Sequence, residues 1–230
     1  MLAWVFTNAG KGLYPVMKQG PAHIVLLTGE IFAPFLRDYL LGRIPDISIS
    51  VAPSIPTLEA ALQDAGRACR LISFLTSIIV PAAILRRLGP EPFNIHPGPP
   101  EIRGINPEVF AIFDDADSFG VTAHVIAPKV DSGPIIYCER FAMPVCRERR
   151  TLADQALPYA LKAFRHVADH CAASLAPMAR VDTIWTGPLR TLKAFDALGA
   201  DADRLARACG EDAMRGHPPG AATHPPDLQL

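Results

Sequence analysis

The sequence predicts an α/β domain built on a mostly parallel, doubly wound sheet with flanking helices. Short, continuous apolar runs of strand length carry this reading, together with segments of helical spacing lodged between them. His23-Ile24-Val25-Leu26-Leu27 is such a run and stops at Thr28-Gly29, as a first strand buried on both faces should. Phe32 to Leu41 follows with helical spacing. Asp46 to Val51 alternates as a second strand, and Thr57 to Ala65 reads as a helix, with Thr57 as candidate cap and Gly66 as stop. Arg70 to Thr76 is the next strand, Pro81 to Leu88 a short helix, and Phe93-Asn94-Ile95 a fourth strand. The β-α-β-α-β-α-β order places ligands at the carboxyl ends of the strands.

Pro107 to Phe113 fits a further helix, and Gly120 to Ile126 and Pro134 to Arg140 fit two later strands. Thr151 to Ser174 is a long helical stretch in which Pro158 is expected to break the start. A small C-terminal helical extension follows, for which Trp185 reads as a hydrophobic anchor. The last ten residues, with His224-Pro225-Pro226, read as loosely ordered, and no internal repeat is present.

Composition narrows the functional classes. Half the residues are hydrophobic and the net charge is −1, so no nucleic-acid partner is expected, because such binders carry a basic patch. The 23 prolines gather at loops and the C-terminal tail, which marks breaks between elements rather than a repeat. The five cysteines (Cys69, Cys138, Cys146, Cys171, Cys209) form no Cys-x-x-Cys pair and are odd in number; free thiols in a reducing cytoplasm account for them. Met1 to Phe6 is too short for a signal core, and Leu71 to Leu85 falls short of the roughly 20 residues that span a bilayer. A buried strand followed by a helix explains the latter better, and no membrane partner is expected.

The chemistry gathers between Phe93 and Ile136. Here stand Phe93-Asn94-Ile95-His96-Pro97-Gly98-Pro99-Pro100, Arg103-Gly104, Gly120-Val121-Thr122-Ala123-His124-Val125 and Asp131-Ser132-Gly133-Pro134-Ile135-Ile136. An amide, an imidazole and a carboxylate (Asn94, His96, Asp131) sit at element ends, and supply an oxyanion donor, a proton-transfer group and a partner to tune it. Asn94 and His96 share one side of an extended segment, because side chains repeat every second residue. Singly, each residue is better explained as a turn former or a packed side chain. Together at this spacing they point to catalysis. His124 lies inside an alternating run and reads as structural.

On these motifs the chain resembles the 10-formyltetrahydrofolate-dependent formyltransferase family, nearest to its small-molecule and amino-sugar N-formyltransferases. That family carries Asn-x-His, a Pro-containing loop, Arg-Gly, Gly-Val-Thr-x-His and Asp-x-Gly-x-Ile-Ile in this order. The resemblance spans residues 23–175 and implies a Rossmann-like formyltransferase fold, with a catalytic domain at 1–175 and an extension or tail at 176–230. It also implies a sheet shortened in its N-terminal half, since the family has another β-α unit before the strand matching Arg70 to Thr76. The first twenty residues are available to compensate. One departure is Gly98-Pro99-Pro100, where the family has Ser-Leu-Leu-Pro. Asp182 to Trp185 and, later, Leu205 to Ala208 with His217 to Ala221 weakly resemble a linker of the amino-sugar enzymes.

The resemblance implies Asn94, His96 and Asp131 as the catalytic trio and 10-formyltetrahydrofolate as cosubstrate. Asn94 would donate to the developing oxyanion, while His96, held charged by Asp131, would pass a proton towards N10. Ser77, Ile78 and Ile79 after the third strand, with Ile126 and Val130 opposite, would line the pteridine; no metal is implied. The acceptor is expected to be a small-molecule amine such as a nucleotide-linked amino sugar. Thr28-Gly29-Glu30-Ile31-Phe32 has one Gly and an acid where the purine-pathway branch holds phosphate, and Glu30 reads as a helix N-terminal acid. Initiator-tRNA formylation, formyltetrahydrofolate hydrolysis and folate binding without catalysis are the alternatives. A homodimer is compatible with all of them.

Overall fold

A computed structural model describes residues 21–44, 46–66 and 68–200. The readings placed on residues 1–20, Cys209, Leu205 to Ala208, His217 to Ala221 and the last ten residues lie outside the described residues. β1 (His23–Leu27) lies between β2 (Ser48–Ala52) and β3 (Arg70–Phe74), and β3 pairs with β4 (Phe93–His96); all three pairings are parallel. The crossovers are α1 (Ala33–Arg43), α2 (Ile55–Ala65) and α3 (Ala82–Leu85). A two-residue β5 (Arg103–Gly104) and α4 (Pro107–Phe113) precede β6 (Ser118–Val125) and β7 (Ile135–Ala142). β6 runs antiparallel to β4, and β7 to β6, completing a six-stranded sheet of order β2-β1-β3-β4-β6-β7. The mostly parallel, doubly wound reading holds, and the sheet ends at β2 on the shortened side.

Two local readings are corrected. Thr57 does not cap α2. Ser54 does, with its Oγ accepting from the Thr57 N–H at 3.3 Å while Thr57 Oγ1 accepts from the Ser54 N–H at 3.0 Å. This reciprocal capping box needs Thr57 at the third helical position, with Pro56 in the first turn where its missing N–H is harmless. Pro158 does not break the long helix either, since α5 runs unbroken from Arg149 to Ala173. The proline is exposed, so the carbonyl it cannot satisfy faces water. Leu71 to Leu85 divides into β3, a loop and α3, and among the described residues no helix is long and apolar enough to cross a membrane.

Alternation along the strands splits the interior into two layers. Ile24, Leu26, Ile72, Phe74, Phe93, Ile95, Val121 and Ala123 face a layer shared with α1, α4 and α5. Phe74 meets Phe164 of α5 edge to face at 5.7 Å. Val25, Leu27 and Leu71 face the opposite layer, closed by α2 and α3. That second layer draws no fully buried residue from β4 or β6, on which α5 packs from the first side. Alternation therefore delivers Asn94, His96, Thr122 and His124 to a sheet face that loops, not helices, must cover.

Candidate active site

β4 and β6 pair so that Asn94 stands directly opposite His124 and His96 opposite Thr122. Asn94 Nδ2 lies 3.1 Å from His124 Nε2, and only Asn94 of this group is half-open to solvent. Asp131 enters from the β6–β7 connection in the left-handed region, with φ 42°. Its Oδ1 is 3.2 Å from His124 Nε2 and its Oδ2 3.5 Å from His96 Nδ1. The structure thus brings Asn94, His96 and Asp131 to one place, with Asn94 joined through His124. The structural reading of His124 is corrected, for it sits between Asn94 and Asp131.

The Arg-Gly pair holds the carboxylate in place. Arg103 Nε donates to the Asp131 carbonyl at 2.7 Å and Nη2 to that of Val130 at 3.1 Å, clamping the turn. Gly104 N–H donates to Asp131 Oδ2 at 2.7 Å. Gly104 has φ 96°, and a Cβ there would collide with the Arg190 carbonyl of β8 (Leu189–Arg190), the parallel partner of β5. The departure at Gly98 also has a steric cause: a Cβ there would stand 2.5 Å from His96 Nε2. His96 Nε2 in turn lies 2.8 Å from the Ile102 carbonyl, which assigns the ring proton to that nitrogen. Thr122 Oγ1 donates to the Gly98 carbonyl at 2.8 Å and fixes the same loop.

Charge in this cluster is unevenly divided. Burial alone would raise the Asp131 carboxyl, but His96, His124 and the Gly104 N–H outweigh it and hold the group well below the usual carboxylate range. Burial also pushes the His96 imidazole down, ahead of the upward pull of Asp131 and the Ile102 carbonyl, with His124 adding to the lowering. Burial dominates at His96, whose Nδ1 stands 3.5 Å from the carboxylate, farther than a hydrogen bond, while His96, His124 and the Gly104 N–H together hold Asp131 ionised. Asp131 pulls towards the charged form of His96, as expected of it, but burial pulls the other way and more strongly.

Both groups are displaced downward, so the unfolded chain binds each proton more tightly. Stability present at neutral pH should fall as pH drops through about 6.5 and fall again below about 4. Melting temperature against pH checks this. His96→Gln should weaken both limbs, the lower one because His96 is foremost among the neighbours that depress Asp131, and a wild-type upper limb in that variant would refute the assignment.

The residues expected to line a cofactor are placed as follows. Ser77 and Ile79 are exposed, Ile79 at 63%, in the loop after β3. Ile78 and Ile126 are half-buried and pack against the same apolar layer as Val25, Leu27 and Leu71, so both border the face that carries Asn94. Val130 is half-buried, with its carbonyl taken by Arg103. Leu75, at the start of this loop, has φ 44°, a strained geometry for a branched apolar residue. Among the described residues, no group of three or more His, Cys, Asp or Glu could hold a metal ion.

The chain returns over the site after α5. Val181 N–H donates to the Ile135 carbonyl at 3.0 Å, Thr186 N–H to that of Pro100 at 3.2 Å and Ile105 N–H to that of Arg190 at 3.1 Å. Arg190 pairs with Asp114 and stacks over Phe110 at 4.6 Å. α6 (Leu192–Ala197) follows, Phe195 meeting Phe110 edge to face at 6.5 Å. Residues 176–200 are thus stitched to the loops that carry the cluster. His124, Arg103 and Trp185 are the site residues whose parts the sequence reading missed.

Comparison with known proteins places the fold. No protein-family model matches the chain. A formyltransferase from a Shewanella species described as acting on sugar N atoms superposes with a TM-score of 0.65 at 17% identity, covering 82% of this chain and 89% of that one. The fold is that of the sugar N-formyltransferases. A formyltransferase of the same fold from Anoxybacillus kamchatkensis, crystallised with UDP-4,6-dideoxy-4-formamido-L-AltNAc and tetrahydrofolate, superposes with a TM-score of 0.59 at 20% identity, covering 77% and 90%. The dTDP-4-amino-4,6-dideoxyglucose formyltransferases of Mycobacterium bovis and Mycobacterium tuberculosis are each 34% identical over 122 residues, 49% of this chain and 51% of theirs. The chain spans about half the length of the curated relatives it matches. The resemblance drawn from the motifs and the fold class it implied both hold.

Proposed function

We propose that this protein is a 10-formyltetrahydrofolate-dependent formyltransferase acting on a small-molecule amine, and that its acceptor is a nucleotide-linked amino sugar. One observation carries the reading: Asn94, His124, Asp131 and His96 form a connected polar cluster on a sheet face left bare by helices, with Asn94 half-open to solvent. The relatives' names and the ligands of the neighbouring structure support the donor and the acceptor class. The free thiols Cys69, Cys138, Cys146 and Cys171 suit a reducing cytoplasm.

The chemistry is acyl transfer. The amine attacks the formyl carbon, the carbonyl oxygen gains charge, and the C–N10 bond then breaks. Asn94 donates to that oxyanion without taking part in proton exchange. The amine's proton passes to Asp131 or to the His124 ring bridging it to Asn94. His96 Nδ1 stands behind Asp131 as the second acceptor, and N10 receives a proton as tetrahydrofolate leaves. Ile78, Ile79, Ile126 and Val130, with Ser77, form the slot for the pteridine, whose activated one-carbon unit the protein orients.

A thermal-shift series with reduced folates tests the donor, because binding to the folded state raises the melting temperature by mass action. An amine panel that includes dTDP- and UDP-linked amino sugars then tests the acceptor. Formylated product should appear only with an amine present. Asn94→Ala should lower turnover about 10²–10³-fold with little change in the folate-induced shift. Steady release of tetrahydrofolate without amine would favour a hydrolase, and the absence of any folate shift at high excess would remove the reading altogether.

A further inference from the structure

Trp185 lies 54 residues beyond Asp131 in the chain, yet its side chain stands in the middle of the cluster. Nε1 donates to the Gly133 carbonyl at 2.8 Å, which fixes the ring on the turn that carries Asp131. The indole meets His124 at 5.1 Å and 87° and His96 at 6.0 Å and 65° between ring planes. On its other flank the Arg103 guanidinium lies 5.9 Å from the ring, while the same guanidinium holds the Val130 and Asp131 carbonyls. One indole therefore touches both imidazoles and the arginine that positions the carboxylate. Beneath it His96, His124 and Asp131 are 4%, 2% and 7% exposed.

The earlier reading of Trp185 as an anchor for an extension does not account for this placement. An anchor needs an apolar pocket, whereas this ring covers three ionisable groups. Its support comes from the 181–190 strap, bonded to Ile135, Pro100 and Ile105. We propose that Trp185 is a positioning residue that closes this strap over the His96–His124–Asp131 cluster, shuts bulk water out of it, and so commits the formyl group to the amine rather than to water. The catalytic unit on this view extends through residue 190 instead of ending near 175. The clause about the formyl group rests on the function proposed above, while the shielding of the histidines does not.

In the leak that Trp185 prevents, a water oxygen bonds to the formyl carbon, the C–N10 bond breaks, N10 takes the proton that water loses, and formate departs. The charged and titratable groups facing the two imidazoles are Asp131, Arg103 and each other. The indole adds no charge, so its removal acts by admitting solvent.

The test uses the full chain as wild type, Trp185→Phe and Trp185→Ala. Imidazole nitrogens are followed against pH by long-range proton–nitrogen spectra. Trp185→Ala should move the His96 titration towards that of free histidine, change the His124 ring signals that the facing indole sets, and leave the His23 titration in place. Trp185→Phe, which keeps a ring, should track the wild type. If the alanine variant does not fold, Trp185→Leu carries the comparison and should move the same two rings. An unmoved His96 curve in a folded variant overturns the proposal, whatever the enzyme does. In parallel, amine-independent release of tetrahydrofolate from N10-formyltetrahydrofolate should rise several-fold in Trp185→Ala while the amine-dependent rate falls. A leak no faster than wild type overturns the exclusion of water. If neither protein shows turnover with any acceptor, the formyl-transfer reading fails, and the titrations still decide whether the indole shields the cluster.

Discussion

Turnover should fall by about 10²–10⁴-fold in Asp131→Asn, while a reduced folate still raises the melting temperature. The carboxylate receives the Gly104 N–H at 2.7 Å and stands 3.2 Å from His124 and 3.5 Å from His96, so one group organises both rings. An amide has nearly the same shape but carries no charge, and an NH2 in the place of Oδ2 would meet the Gly104 N–H donor to donor. The negative charge that draws a proton from the amine is lost, and the oxyanion donor Asn94 is left untouched. His96→Gln should be damaging as well, and the double variant should be little worse than the poorer single one, because the groups act as a unit. Initial rates at saturating donor give the comparison. A rate within a few-fold of wild type in Asp131→Asn would end the mechanism proposed for this cluster.

Arg70→Leu should cost about 3 kcal/mol or more of folding stability and leave the binding of folate intact in the protein that folds. Arg70 is fully buried in β3, at the end of the strand away from the loop after Phe74. Its Nη1 donates to the Glu91 carbonyl at 2.8 Å and its Nη2 to those of Ala176 and Ser174 at 2.9 and 3.2 Å. The guanidinium lies 5.2 Å from the Phe93 ring. Burial lowers its pKa, against the opposing pull of Cys171 and Glu91, yet an arginine retains its proton at any working pH. Leucine strands the Glu91 and Ser174 carbonyls at once, while the Ala176 carbonyl keeps the His170 ring at 2.9 Å. Lysine should rescue little, since a point charge cannot span acceptors that the planar fork reaches together. Chemical denaturation gives the difference, and a loss below 1 kcal/mol would show that water replaces the arginine there.

These two residues also show how legible the chain was. Asp131 stood out through the Asp-x-Gly-x-Ile-Ile run, whereas Arg70 read only as the first residue of a strand. Its partners at 91, 174 and 176 are far from it in sequence, and a charged residue before an apolar run ordinarily lies at the surface. The cap of α2 was misread by three residues because Ser54 and Thr57 can both start a helix, and the reciprocal bonds that decide between them exist only once the turn is formed.

The sequence by itself determined the strands, the helices between them, the parallel half of the sheet, and the common side of Asn94 and His96. All of these follow from periodicity within a few residues, which the backbone imposes locally. The part played by His124 depended on tertiary structure, because pairing register, not the alternation of its own strand, sets it opposite Asn94. The antiparallel course of β6 and β7, the left-handed turn that aims Asp131, and the return of Trp185 over both histidines were decided in the same way. The downward displacement of the His96 imidazole was decided there too, since burial outweighs the upward pull of Asp131 and the Ile102 carbonyl only in the folded chain. Each depends on contacts between residues remote in sequence, which no local pattern encodes.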